Sequence, residues 1–361
     1  MTDETRQESP QGVRRIDHEY SRSLVGILAQ HRLSLLVTTY QAGKLVVIGT
    51  REGSPELTIS YRNFASPMGL AIRPEGQNLV MAVDGGVCQL LNHPALAARL
   101  QPPGTYDACY LPRQAFYTGP IDAHEVVWCG DNLWVVNTLF SCLCTLDSVH
   151  NFVPRWMPPF VTALAAEDRC HLNGLAVVED RPRYVTALGE TDTREGWRPG
   201  KASGGCLIDV NSGAVVLRGL SMPHSPRARG QEIWLLESGE GRLARARPAG
   251  GTVEPVAEVP GYARGLAFAG SYAFIGLSRM RASATFAGLP IAQRETPISC
   301  GVSVVDLTIG REVARLEFHS GVEEIFDVQP MRHARNPWIS GPHPSKDEVP
   351  PIWVVPEPKR A

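Results

Sequence analysis

The sequence predicts an all-β protein, a six-bladed β-propeller. Three observations lead there. Short runs rich in β-branched and aromatic residues recur along the chain, each bounded by Gly, Pro, Asp or Asn: SLLVTTY (34–40), KLVVIG (44–49), NLVMAV (78–83), NLWVVNT (132–138), RYVTALG (183–189), EIWLLES (232–238), YAFIGLS (272–278) and GVSVVDL (301–307). Few stretches keep a helical period. Five segments share one pattern, a polar, Gly or Pro approach, an apolar strand, a turn and a stronger apolar strand, repeating every roughly 40–56 residues, the period of a four-stranded blade.

Taken in order, residues 1–16 are polar and read as a disordered tail. SLLVTTY resembles the second strands NLWVVNT and EIWLLES, and KLVVIG and LTISYR then serve as third and fourth strands. The five repeats begin at Ser66, Asp122, His171, Met222 and Tyr262, and CLCTLD, GGCLIDV and GVSVVDL supply third strands. A sixth start, VEEIFDVQPM, has no partners after it, so it is expected to pair with the N-terminal strands and close the ring, which removes exposed sheet edges. The propeller is thus placed at 17–330, and a Pro-rich extension, 331–361, carries PPIWVVP, expected on the outside. A β-sandwich pair and a seven-bladed ring with one degenerate blade are the alternatives.

Composition narrows the function classes. Lys+Arg 35 balance Asp+Glu 37, and no basic block exists, which argues against nucleic-acid partners. No window approaches the ~18 apolar residues of a membrane span, and MTDETRQESPQG lacks the apolar core of a signal peptide. A cytoplasmic protein with reduced cysteines is expected. Cys142 and Cys144 alternate in a strand, so packing is their expected role.

Aligning the inner-strand starts places Met68, His124, Asn173, His224, Arg264 and Glu324 around one channel mouth. Polar residues there need partners, whether water, metal or ligand. His124, His224 and Glu324 are 100 residues apart each time, two blades, so they are expected to converge on the axis. Two imidazoles and a carboxylate make a site for a divalent transition metal, zinc or iron. His319 offers a three-histidine version and His171 a fourth imidazole. Glu125, Asp122 and Glu323 are candidates to orient imidazoles, with Glu125 or Glu323 also able to move a proton. Asn173 is a candidate catalytic donor or acceptor. Arg264 either holds an anionic group or neutralises Glu324. Met68 and Arg227 join the substrate-binding candidates. Insertions at 189–205 and 279–300 lie between second and third strands at the same mouth. Their Trp197, Arg198, Lys201, Arg279, Arg281, Phe286 and Arg294 suit a lid over a polar or anionic substrate.

HLNGLAVV, YARGLAF and HEVVW resemble inner-strand motifs of the gluconolactonase, regucalcin and strictosidine synthase propellers. That resemblance implies calcium held by Glu, Asn and Asp. Here Asn173 matches, while His124 and Arg264 stand where the Glu and Asp are expected, so the calcium lactonase site is dismantled. The alternate-blade histidines resemble the zinc site of peptidyl-hydroxyglycine lyases, and streptogramin-type lyases share the ring. LVTTYQAGKL, MGLA, HEVVW, HLNGLA, PHSPR, GEGRL and SGVEEIFDVQ together resemble a bacterial family of conserved hypothetical proteins over about residues 30–330, which implies the propeller and assigns no reaction. The expectation is a metal-dependent lyase or hydrolase acting on a small polar or anionic molecule or peptide. A non-haem iron oxygenase at the same site, or a non-catalytic module binding a peptide or partner protein, are the alternatives.

Overall fold

The computed structural model describes residues 16–279, 288–295 and 297–357. The expected tail falls, apart from residue 16, outside the described residues, as do Arg281 and Phe286.

Six antiparallel sheets form the ring. Blade I is built from Leu70–Ile72, Asn78–Val83, Gly86–Asn92 and Ala108–Tyr117, and blade II from Ala123–Cys129, Asn132–Asn137, Cys142–Thr145 and Val153–Trp156. Blade III holds Leu172–Val178, Arg181–Ala187, Gly205–Asp209 and Val215–Leu220, and blade IV Pro223–Arg229, Glu232–Glu237, Arg242–Arg247 and Thr252–Glu258. Blade V holds Tyr262–Ala269, Tyr272–Ser278, Gly301–Asp306 and Arg311–Phe318. Blade VI closes the ring as the sequence predicts: Asp327–Met331 pairs with Ser34–Thr38 (Val37 opposite Val328), followed by Lys44–Thr50 and Leu57–Asn63.

Both chain ends add outer strands. His18–Tyr20 pairs with the last strand of blade V, and Pro337–Ile339 runs parallel to the last strand of blade I. The extension therefore starts inside an inner strand, since Met331 is buried in blade VI, and Trp338 packs with Cys109 and Leu111. Of PPIWVVP, Ile352 touches that cluster while Trp353 and Val355 are exposed. A helix, Arg22–His31, buries Leu24, Ile27 and Leu28 against blades V and VI. Its apolar residues recur at helical spacing, a period the strand-dominated reading overlooks.

The core lies between blades, where facing sheets interdigitate residues such as Val136, Leu143, Leu175 and Val185. All eight cysteines are free and buried, and burial pushes the Cys170 and Cys206 thiols up to about 12. Cys142 and Cys144 pack in the same interblade cluster, as expected. Among the described residues no helix is long and apolar enough to cross a membrane.

Hydroxyl side chains at the ends of second strands tie four of the six blades to the next. Thr138 Oγ1 donates to the Leu172 carbonyl at 2.6 Å, Ser238 Oγ to that of Ala263, Ser278 Oγ to that of Ile325 and Thr38 Oγ1 to that of Met68. Strand-end hydroxyls thus satisfy carbonyls that leave their own sheet.

Candidate active site at the channel mouth

Three tiers of inner-strand residues line the axis, and the interblade bonds fix their register. The deepest tier alternates. Blades II, IV and VI present Glu125, Ser225 and Asp327, whose side-chain oxygens accept from the next blade: Leu175 N–H to Glu125 at 2.9 Å, Gly265 N–H to Ser225 at 3.0 Å and Leu70 N–H to Asp327 at 3.0 Å. Blades I, III and V present Gly69, Gly174 and Gly265. A Cβ at Gly69 would stand 2.6 Å from the Glu125 Cα, and one at Gly174 would stand 2.3 Å from Pro226 Cδ. Only glycine lets the neighbouring backbone approach that closely. The six blades are therefore three similar pairs.

One residue earlier, the middle tier is Met68, His124, Asn173, His224, Arg264 and Phe326. Two residues earlier again, the upper tier is Ser66, Asp122, His171, Met222, Tyr262 and Glu324. Ser66, Asp122, His171 and Met222 all have φ between 43° and 50°, the left-handed turn that leads each chain into its strand.

This register corrects the alignment of blade VI. The third alternate-blade position belongs to Phe326, and Glu324 sits one tier higher. The Phe326 ring packs edge-on against His124 at 5.2 Å and under the Arg264 guanidinium at 4.2 Å. Glu324 Oε1 pairs with Arg264 Nη1 at 3.0 Å, the neutralising arrangement. The axial set of His124, His224 and Glu324 is thus not assembled in one tier. His319 lies away from the mouth, half-exposed, with Nε2 3.6 Å from Glu19, because its segment leads along the outer edge of blade V.

A cavity of ≈ 410 Å³ opens at the mouth. Its wall holds His124, His171, His224, Arg264, Glu324 and Asp122, together with Met68, Phe326, Tyr262, Trp197 and Arg198. His124 Nδ1–H donates to the Asp122 carbonyl at 3.0 Å, and His224 Nδ1–H to the Met222 carbonyl at 2.8 Å with Ser238 Oγ at 2.9 Å. His171 Nδ1–H donates to the Asp168 carboxylate, 2.8 Å and 3.0 Å from its two oxygens. Acceptors at Nδ1 fix the tautomer and leave Nε2 as the lone-pair nitrogen. Among the described residues no hydrogen bond occupies Nε2 of these three rings. His124 and His171 meet edge to face at 4.8 Å.

Burial, then the nearby His171 and Arg264, hold His124 well below the usual imidazole range, and burial and Arg264 do the same for His224. Both rings are neutral at neutral pH. Asp122 is pushed up by burial and by Asp168. It orients His124 through its carbonyl rather than its carboxylate. Among the described residues no three His, Cys, Asp or Glu side chains stand in a ready-made metal cage.

Several expected site residues lie elsewhere. Glu125 and Asn173 face a chamber of ≈ 10 Å³ below the mouth, roofed by His124 and His224 and shared with Arg227 and Asp327. Glu125 pairs with Arg227 Nη1 and takes no imidazole, and burial raises its carboxyl to about 7 against the pull of Arg227. Arg227 also donates from Nε to the Leu266 carbonyl at 2.9 Å, so it ties blade IV to blade V instead of reaching the cavity. Asn173 Oδ1 accepts from Thr186 Oγ1 at 2.8 Å. Glu323 is exposed, and its carbonyl takes the Arg279 N–H.

The first insertion does cover the mouth. Trp197 is 2 % exposed and packs with Leu188, Met222, Tyr262, Leu289 and Ile291, so both insertions meet there. Its ring lies 4.5 Å from that of His171, and its Nε1–H donates to Asp168 at 3.0 Å. Arg198 stacks on Trp197 at 4.6 Å. Arg279 and Arg294 bond backbone carbonyls of the ring instead.

The sequence reading passed over Asp168, Tyr262 and Phe326. For Phe326 a signal existed: the residues after the middle tier read Gly, Glu, Gly, Ser, Gly, Asp, and this alternation sets blade VI on Asp327.

No curated protein matches the chain. A solved structure described as "Crystal structure of Nidogen/Laminin Complex" is similar at 10% identity and TM-score 0.52, covering 82% of this chain and 98% of that one, a likeness of fold alone. The family model described as "Domain of unknown function (DUF4915)" matches residues 22–339. The chain belongs to the DUF4915 family.

Proposed function

We propose that this protein is a lyase or hydrolase working at the channel mouth on a small anionic molecule, with His124, His171 and His224 as the holders of a divalent transition metal. One observation carries the reading: three imidazoles enter one cavity, each with Nδ1 tied to a carbonyl or carboxylate and Nε2 left without a hydrogen bond among the described residues. Metal-bound histidines are oriented in this way, and neutral rings are what ligation requires. The donor set fits zinc or iron(II), though the rings must draw closer than they stand, as the lack of a ready-made cage requires. When bound, such an ion supplies Lewis acidity at the mouth.

The remaining roles belong to the chain itself. Arg264, stacked on Phe326 and held by Glu324, presents the rest of its guanidinium to an anionic group. Met68, Met222, Tyr262 and Trp197 enclose the apolar part of the molecule and exclude water. Asp122, its carboxyl raised by burial, stands at the rim where a proton can be exchanged with solvent.

Element analysis of freshly purified protein, with zinc and iron(II) titrations by calorimetry, tests the reading. Near-stoichiometric binding is expected in the wild type, with loss of at least about tenfold in affinity for folded His171→Ala and His224→Ala. Unchanged affinity in both variants, or no binding by the wild type, refutes it.

A further inference from the structure

We propose that Asp168 is a positioning residue that makes docking of the 189–204 loop and orientation of the His171 imidazole a single event. This rests on reading the mouth as the active site. The Asp168 carboxylate is shared. Oδ2 accepts from His171 Nδ1 at 2.8 Å and from Trp197 Nε1 at 3.0 Å, while Oδ1 lies 3.0 Å from the same His171 nitrogen. The indole ring covers the imidazole at 4.5 Å. Both Asp168 and His171 are shielded, their side chains 13% and 15% exposed.

The loop has other ties to the same turn. Thr191 Oγ1 donates to the Arg169 carbonyl at 2.6 Å, Arg169 pairs with Asp192 at 2.7 Å, and Glu195 N–H reaches the Glu167 carbonyl at 3.0 Å. Those contacts hold the base of the loop. The Trp197–Asp168–His171 link joins it by hydrogen bonds to an imidazole of the cavity. If the loop lifts, Asp168 loses one of its two N–H donors and His171 loses the ring above it. If His171 turns, Trp197 loses its ring contact. Two elements that each stabilise the other's position are coupled reciprocally, so whatever fixes His171 closes the loop. Charge-assisted bonds to a shielded carboxylate are strong enough to carry that coupling.

Limited trypsin digestion reads the loop at the Arg194–Glu195 and Lys201–Ala202 bonds, because cleavage requires local opening. Long-range proton–nitrogen correlation spectra of histidine-labelled protein read the imidazole. In the wild type both bonds are expected to resist cleavage, with His171 in the Nδ1–H tautomer and that proton protected from water. Asp168→Asn should raise cleavage at these two bonds about tenfold, leave other tryptic sites unchanged, and mix the His171 tautomers. Trp197→Phe keeps the apolar ring and removes the indole N–H. It should open the loop by a smaller factor and speed exchange of the His171 Nδ1 proton, which a mere loop anchor would not do. Zinc chloride alone should slow cleavage in the wild type and have no such effect in Asp168→Asn.

Unchanged cleavage in Asp168→Asn, cleavage raised equally at every site, or a His171 signal that ignores Trp197→Phe overturns the proposal. Zinc that binds without protecting the loop overturns it too. Should Asp168→Asn not fold, Trp197→Phe decides by the same two readouts and His171→Ala by cleavage alone. A wild type that binds no zinc refutes the metal reading, while the zinc-free digestion and spectra still judge the role of Asp168.

Discussion

Replacing Arg227 by methionine probes the charge balance that holds the channel together below the mouth. Arg227 lies between two buried carboxylates, paired with Glu125, while its charge opposes the burial that raises Asp327. Asp327 keeps the Leu70 and Val328 N–H groups and Gln329, Glu125 keeps the Leu175 N–H, and Arg264 stands in the roof of the same chamber. Glu125 titrates at about 7 in the fold against a usual 4.5. A raised carboxyl means the folded state holds a proton that the unfolded chain has released. Its contribution is fully present below about pH 4.5 and is lost as pH rises to about 7, which amounts to about 3 kcal/mol over that window. At pH 5 Glu125 is protonated with or without Arg227. At pH 8 the wild type has a carboxylate facing a guanidinium, whereas Arg227→Met must keep a proton one pH unit above 7 or bury a bare charge. That costs up to about 1.4 kcal/mol through Glu125 alone, the full figure applying when the variant keeps the proton at pH 8, and Asp327 adds to it. Urea unfolding followed by circular dichroism at both pH values measures the difference. Arg227→Met should be more destabilising at pH 8 than at pH 5, by up to about 1.4 kcal/mol through Glu125 with the share of Asp327 on top. A penalty equal at the two values, within the error of extrapolation, would refute the charge-balance argument.

Glu125→Gln removes the titrating group and should flatten the fall in wild-type stability between about pH 4.5 and 7, as read by the same urea series. Thr138→Val deletes one interblade bond to the Leu172 carbonyl at constant shape and should cost about 1–2 kcal/mol, with a crystal structure of the variant checking that the ring is intact. Trp338→Ala empties the seat of the C-terminal strand on blade I and should cost about 3–5 kcal/mol in thermal or urea unfolding, with proteolysis then starting beyond residue 331. Phe326→His places a third imidazole in the tier of His124 and His224, and zinc titration should show tighter binding than in the wild type if those three positions face one axis point.

The ring was legible because its signals are local and repeated. Apolar strands bounded by turn residues recur at blade spacing, and VEEIFDVQPM without a following strand implies closure by SLLVTTY whatever the details. The site was legible only in part, because it depends on register to one residue. His124 and His224 fall at equivalent strand positions, as their spacing predicts, since both open strands of equal length after equal turns. Blade VI did not, because two acidic residues precede its strand and an even spacing of 100 drew the alignment to Glu324. The alternation of Gly with Glu, Ser and Asp in the deepest tier carries the true register, and it has a physical cause: each paired neighbour needs either a side-chain acceptor for its N–H or room for its backbone. Asp168 was hidden for a different reason. It bonds across a turn to His171 and across an insertion to Trp197, and no strand period links positions 168 and 197. Residues placed by periodic structure can be read from spacing. Residues placed by a loop folding back on its own blade become visible only when the hydrogen bonds are traced, and here it is such a residue that joins the cover of the cavity to its histidine-lined wall.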